Sequence, residues 1–183
     1  MRKLFLILVA MVFFAVPTSA SAHQKSPFTA SGNLCLVQLP NIRAVVLQPA
    51  GVLGLFSGEQ LAGAITSSDG WEALEGAGIG ITITNERTLF DFTTLTFSGN
   101  ITGDLTVTTG GDLLTGRLEG TVSGTFLDPN DLLGSINSSI AQAKWQASSK
   151  TTLAKGDATA TFTPGPSGTF CGPVNLAGAV SEG

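Results

Sequence analysis

Residues 101–126 read ITGDLTVTTGGDLLTGRLEGTVSGTF, and this stretch decides the fold class. On both sides of Gly110-Gly111, apolar and polar residues alternate with period two, the pattern of half-buried strands. A Gly-Gly pair between two such runs predicts a tight hairpin, because glycine tolerates the positive φ angles that two-residue turns require. A two-residue loop also fixes the register, since paired residue numbers must then sum to 221. Leu105 meets Gly116, Gly103 meets Leu118 and Ile101 meets Gly120 on the apolar face, so large always faces small. On the polar face Asp104 meets Arg117 and Thr106 meets Thr115, favourable cross-strand pairs of roughly 0.2–1 kcal/mol each. Two independent faces support one register. Glycine at every second inward position from Gly116 to Gly124 removes bulk from the core side, which permits strong coiling or close approach of another backbone or ring. That favours a curved sheet closing on itself.

The same period extends outward from this hairpin. Apolar, β-branched runs at 33–39 and 42–48 are split by the turn signal Pro40-Asn41, and further runs follow at 61–66, 79–84 and 89–97. Within 89–97, Phe90 and Phe92 share one parity while Leu95 and Phe97 have the other, which predicts a β-bulge near Thr93-Thr94. Asp128-Pro129-Asn130-Asp131 supplies an N-cap, a proline and an early carboxylate before Leu132, Leu133, Ile136 and Ile140, which predicts one short α-helix over 129–138. Alternation resumes over 141–153, with a turn near Lys155-Gly156, a return strand at 157–162, and a last strand at 169–176 beyond Pro164-Gly165-Pro166. The expectation is an all-β protein: an antiparallel β-barrel, or alternatively a β-sandwich, of eight to ten strands with one short helix.

The ends frame this domain. Met1-Arg2-Lys3 is a positive n-region, 4–16 is an unbroken apolar run of 13 residues, and Ala20-Ser21-Ala22 gives a small-residue cleavage pattern. Thirteen apolar residues fall short of the roughly 20 needed to cross a bilayer. Residues 1–22 therefore read as a signal peptide, 23–32 as a flexible mature N-terminus, 33–176 as a single β domain and 177–183 as a flexible tail. Export predicts a periplasmic, extracellular or cell-surface location. After cleavage, seven Lys and Arg face 13 carboxylates, a net charge of −6. That argues against nucleic acid or an anionic membrane surface as partner, since both require clustered cations. A membrane-spanning barrel would want aromatic girdles, and the mature chain has eight Phe, two Trp and no Tyr. Two cysteines in an exported chain are expected to pair, and a Cys35–Cys171 bridge would set the first and last strands side by side or on facing sheets.

Catalytic signals are few. His23 is the single histidine, so Ser-His-Asp and Cys-His constellations cannot be built, and a copper brace at a mature N-terminus would need a second histidine. Gly76-Ala77-Gly78-Ile79-Gly80 runs into a strand rather than a helix, the wrong context for phosphate binding. Asp69, Glu72 and Glu75 beside Trp71 lack calcium-loop spacing and read as a solvated turn. The sequons at Asn100 and Asn137 decide nothing. No catalytic residue, metal ligand or cofactor is assigned.

Three function classes remain. In the first, a non-catalytic barrel holds a small apolar ligand against Phe90, Phe92, Leu118, Val122, Phe126 and Trp145. The same residues equally suit a filled core, and no polar group in the sequence is seen to converge on them. The second class is a structural or surface-interaction subunit that self-associates, suggested by export and by 23 Gly and 21 Thr in the 161 mature residues. The third is a carboxylate-dependent enzyme, because acid pairs assemble in space rather than in sequence.

Overall fold

A computed structural model describes residues 25–165 and 169–183. It is all-β, with ten antiparallel strands: β1 (Ser26–Gln38), β2 (Asn41–Gln48), β3 (Gly51–Ser57), β4 (Glu59–Asp69), β5 (Gly78–Asp91), β6 (Thr96–Thr108), β7 (Leu113–Phe126), β8 (Ile136–Ser148), β9 (Thr152–Pro164) and β10 (Phe170–Glu182). A 3-10 turn at Glu72–Leu74 is the one helical element among the described residues. Eight strands close on themselves in the order β5-β4-β1-β10-β9-β8-β7-β6, because β5 also pairs with β6. The result is a barrel-like ring, with β3 and then β2 added outside it on β5.

The hairpin at 101–126 has the register read from its side chains: Thr108↔Leu113, Leu105↔Gly116 and Asp104↔Arg117 all lie opposite each other. Its turn differs in one respect. Among the described glycines the positive φ values fall at Gly58, Gly70 and Gly76, so Gly110-Gly111 turns without the left-handed backbone that was expected of it. A Cβ on Gly116, Gly120 or Gly124 would collide with a carbonyl oxygen of the neighbouring strand β8. Bare backbone at these three inward positions is what lets the ring coil tightly.

Several boundaries move. The predicted helix over 129–138 is absent, and 127–135 forms a looped turn that leads into β8. Asp128 Oδ1 accepts the Asn130 amide at 2.8 Å, and Asp131 Oδ1 accepts the Gly134 amide at 3.0 Å. These local bonds compete with a helix ladder, and Leu127 bonds across to Ser135 to return the chain to the sheet. Residues 92–95 form the β5–β6 hairpin turn rather than a bulge, with Leu95 at φ 53°. The parity change follows from that turn, which pairs Phe90 with Phe97. The turn expected at Lys155-Gly156 lies instead at 149–151, where Ser149 Oγ accepts the amides of Thr151 and Thr152. The strand β3 was not expected. Residues 26–32 and 177–182, expected as loose ends, are strand: 26–29 pair with 177–180, and 181–182 continue along β9. Residues 1–22, expected as a signal peptide, and His23 lie outside the described residues.

Cys35 and Cys171 are bonded, with their Cα atoms 4.0 Å apart and directly opposite on β1 and β10. First and last strands therefore lie side by side, and the bridge spans a sequence separation of 136 residues. Such a crosslink fits an oxidising compartment. Among the described residues no helix is long and apolar enough to cross a membrane. The outward positions of the ring carry Asp104, Arg117, Glu119, Lys144, Lys155 and Asp157, all exposed, the opposite of the apolar band a lipid-facing wall requires.

Candidate functional site

The ring has two unlike ends. At the end holding the Gly110-Gly111 turn, the segment between β4 and β5 folds inward, burying Trp71, Leu74 and Ala77. Phe28 packs edge-on against Trp71 and Trp145, at ring separations of 5.1 and 6.0 Å. This half is filled: the space enclosed by Leu34, Leu105, Leu118, Trp145 and their neighbours amounts to about 30 Å³.

The opposite half is hollow. A cavity of about 430 Å³ lies between Phe56, Phe90, Phe97 and Ile101 on one side and Val122, Ile136, Ala141 and Phe162 on the other. Its rim is made by Leu39 and Pro40, by Leu133 and Gly134 of the loop after β7, and by Pro164 and Thr169. That volume falls in the range of small-molecule pockets, about 300–1,000 Å³. A larger concavity on the outer wall, about 1050 Å³, is lined by Asp104, Arg117, Glu119, Lys144 and other exposed polar groups, and it is open surface.

Two bends create the hollow. At Gly58, with φ +80°, the chain passes from β3 to β4, and β5 correspondingly exchanges one neighbour for the other: Ile83 faces Glu59 while Glu86 faces Phe56. Between Ile83 and Asn85 the β5–β6 register slips by one residue. Before the slip Ile79 and Ile83 point inward; after it Thr88 and Phe90 do, and Glu86 shares their parity. Glu59 shares its parity with the inward Leu61 and Ile65. Both carboxyl groups therefore enter the apolar cavity.

There the two acids are in hydrogen-bond contact. Burial, and then the charge and hydrogen bond of Glu86, push the Glu59 carboxyl up to about 8. Glu86 is also raised by burial, while hydrogen bonds from Thr88 and Glu59 pull it back down. Thr88 Oγ1 donates to Glu86 Oε1 at 2.6 Å, and Thr88 itself is fully buried. Both carboxyl groups are raised and they titrate together, as a pair sharing one proton, with Thr88 donating to Glu86.

Of the residues expected along a ligand wall, Phe90 and Val122 line this cavity. Phe126 stands behind it, 5.8 Å from Phe90 between ring centres, and the partly exposed Phe92 lies 6.3 Å from Phe126. Leu118 and Trp145 belong to the filled half. Sequence reasoning missed Glu59 and Glu86, although the parity of Leu61 and Ile65 and of Phe90 was the available signal. Asp69, Glu72 and Glu75 are exposed around the 3-10 turn, and Gly76 to Gly80 form the entry into β5. Among the described residues no group of three or more His, Cys, Asp or Glu could hold a metal ion. No family model, no curated protein and no solved structure matches this chain.

Proposed function

We propose that this is an exported, non-catalytic binding protein that holds a small apolar molecule in the hollow half of its ring. The observation that carries the reading is the coexistence, in one closed sheet, of a tightly filled half and a cavity of about 430 Å³. Close packing is the rule in protein interiors, and an apolar space of that size beside a pair of polar groups has the composition of a ligand site. The acid pair does not suit glycoside hydrolysis, which separates its carboxyl groups by roughly 5 Å or more, whereas Glu59 and Glu86 touch.

Titration with the neutral, environment-sensitive dye Nile red tests the proposal. Saturable, equimolar binding with a blue-shifted emission is expected, together with at least a tenfold loss of affinity in Ala141→Phe, which fills the cavity from β8. Binding that is absent, or indifferent to Ala141→Phe, would overturn it.

One observation favours a second reading, self-association. Strand β2 is the outer edge of the sheet, and its Ile42, Val45, Val46 and Leu47 are exposed. An uncovered apolar edge is a template for another strand. The occupant that fits is a second copy: antiparallel β2–β2 pairing about the Ala44/Val45 midpoint sets Arg43 against Val46, so no like charges meet.

A further inference from the structure

We infer that the cavity selects amphipathic amines, with the apolar part packed on Phe90, Phe97 and Val122 and the ammonium group seated on the Glu59–Glu86 pair. The inference rests on the ligand-binding reading and names the class of ligand. Its first ground is the composition of the wall. Among the described residues lining the cavity, Glu59 and Glu86 are the titratable ones, and none is Lys, Arg or His. Among the described residues, the charge a ligand meets inside is therefore negative.

The second ground is hydrogen-bonding capacity. A carboxylate offers about four acceptor positions, and Glu86 uses them for Thr88 Oγ1 and for Glu59. Acceptor positions remain on both residues, while the one donor in the pair, the shared proton, is already committed between them. A head group seated on this pair must therefore donate. An ammonium group donates up to three hydrogen bonds and carries a positive charge near neutral pH. An alcohol donates once without charge, and a carboxylate would place a third acid against two.

The third ground is what is already satisfied. The pair sits among mostly apolar side chains, with no cationic partner among the described residues lining the site, and buried charge is ordinarily paired. A bound ammonium supplies that partner. As it binds, the proton shared by the pair can leave to solvent, so that two carboxylates face one ammonium and the charges balance to −1, as before binding.

Calorimetric titration of the full mature protein with decylamine, decanol and decanoate near neutral pH tests this. The three probes share one chain and differ in the head group. Decylamine is expected to bind at least about tenfold more tightly than decanol, equivalent to about 1.4 kcal/mol, with decanoate weaker than both. In Glu59→Gln/Glu86→Gln the amine's advantage is expected to vanish while decanol still binds, which also reports that the variant is folded. Equal affinity of decylamine and decanol for the native protein would overturn the amine assignment and leave the cavity reading standing, and this series alone decides if the variant does not fold. An advantage that persists in the double variant would overturn it as well. Failure of all three probes to bind would overturn the cavity reading itself.

Discussion

Replacing Glu59 by glutamine should make the protein more stable at mildly alkaline pH while leaving it little changed in acid. The Glu59 carboxyl titrates at about 8 in the folded chain, against 4.5 when it is unperturbed. The folded state therefore keeps a proton that the unfolded state gives up. This contribution to stability is complete below about pH 4.5 and is lost as pH rises through 8. Between those limits the slope is about 1.4 kcal/mol per pH unit, a ceiling of about 4 kcal/mol from pH 5 to pH 8. With a urea dependence of about 2 kcal/mol per molar, the unfolding midpoint should fall by up to about 2 M across that interval. Glu86 acts in the same direction, since burial raises it too. Asp91 and Asp112 are held low by hydrogen bonds from the Thr93 amide and the Ser149 hydroxyl, so what they contribute is lost only in stronger acid. Glutamine stays neutral and can still donate to Glu86, so Glu59→Gln should flatten most of the slope. Urea unfolding followed by circular dichroism at both pH values measures it. An unchanged slope in the variant, or native stability that rises from pH 5 to pH 8, would refute the buried, proton-sharing pair.

Cys35→Ser/Cys171→Ser should lower the thermal midpoint by roughly 10 °C, because the bridge spans 136 residues and such a closure is worth up to about 5 kcal/mol; an unshifted calorimetric midpoint would contradict this. Gly116→Val should cost at least about 1–3 kcal/mol in chemical unfolding, since its Cβ would meet the Gln146 carbonyl. Gly110→Ala, with open space around it, should stay within about 0.5 kcal/mol of the native protein, and equal effects at the two glycines would argue against the tightly coiled wall. Val45→Lys on the exposed β2 edge should shift concentration-dependent sedimentation toward monomer; a native protein that is strictly monomeric at high concentration would dispose of the self-association reading.

Where alternation was uninterrupted, the chain disclosed its own pairing. The 101–126 hairpin is the clearest case, because bulky and bare positions on one face and charges on the other demanded the same register. Cys35 and Cys171 likewise brought the first and last strands together, side by side or on facing sheets, and the structure has them side by side. The misreadings occurred where short-range bonding outweighs periodicity. Asp128 and Asp131 cap helices in one context and tie Asx turns in another, and the return bond from Leu127 to Ser135 selected the turn. Phe90 and Phe97 have opposite parity because a hairpin turn lies between them, not a bulge. The real slip, between Ile83 and Asn85, is hidden in Thr84, a residue with no distinguishing chemistry. That slip brings Glu86 inside beside Glu59, which is why a chain with no visible catalytic or binding motif contains a polar site. Hollowness was illegible for the same reason: Leu118 and Val122 occupy equivalent positions four residues apart on β7, yet one lies in the packed half and the other borders the cavity.

Methyl-resolved NMR of the protein during titration with decanol tests the central claim most directly, because probes exist in both halves of the ring. Shifts should concentrate at Ile101, Val122, Leu133 and Ile136, which border the cavity, and leave the buried Leu34, Val107 and Leu114 unmoved. Shifts in the second set, or none in the first at saturating ligand, would mean that this end of the ring is not an accessible hollow.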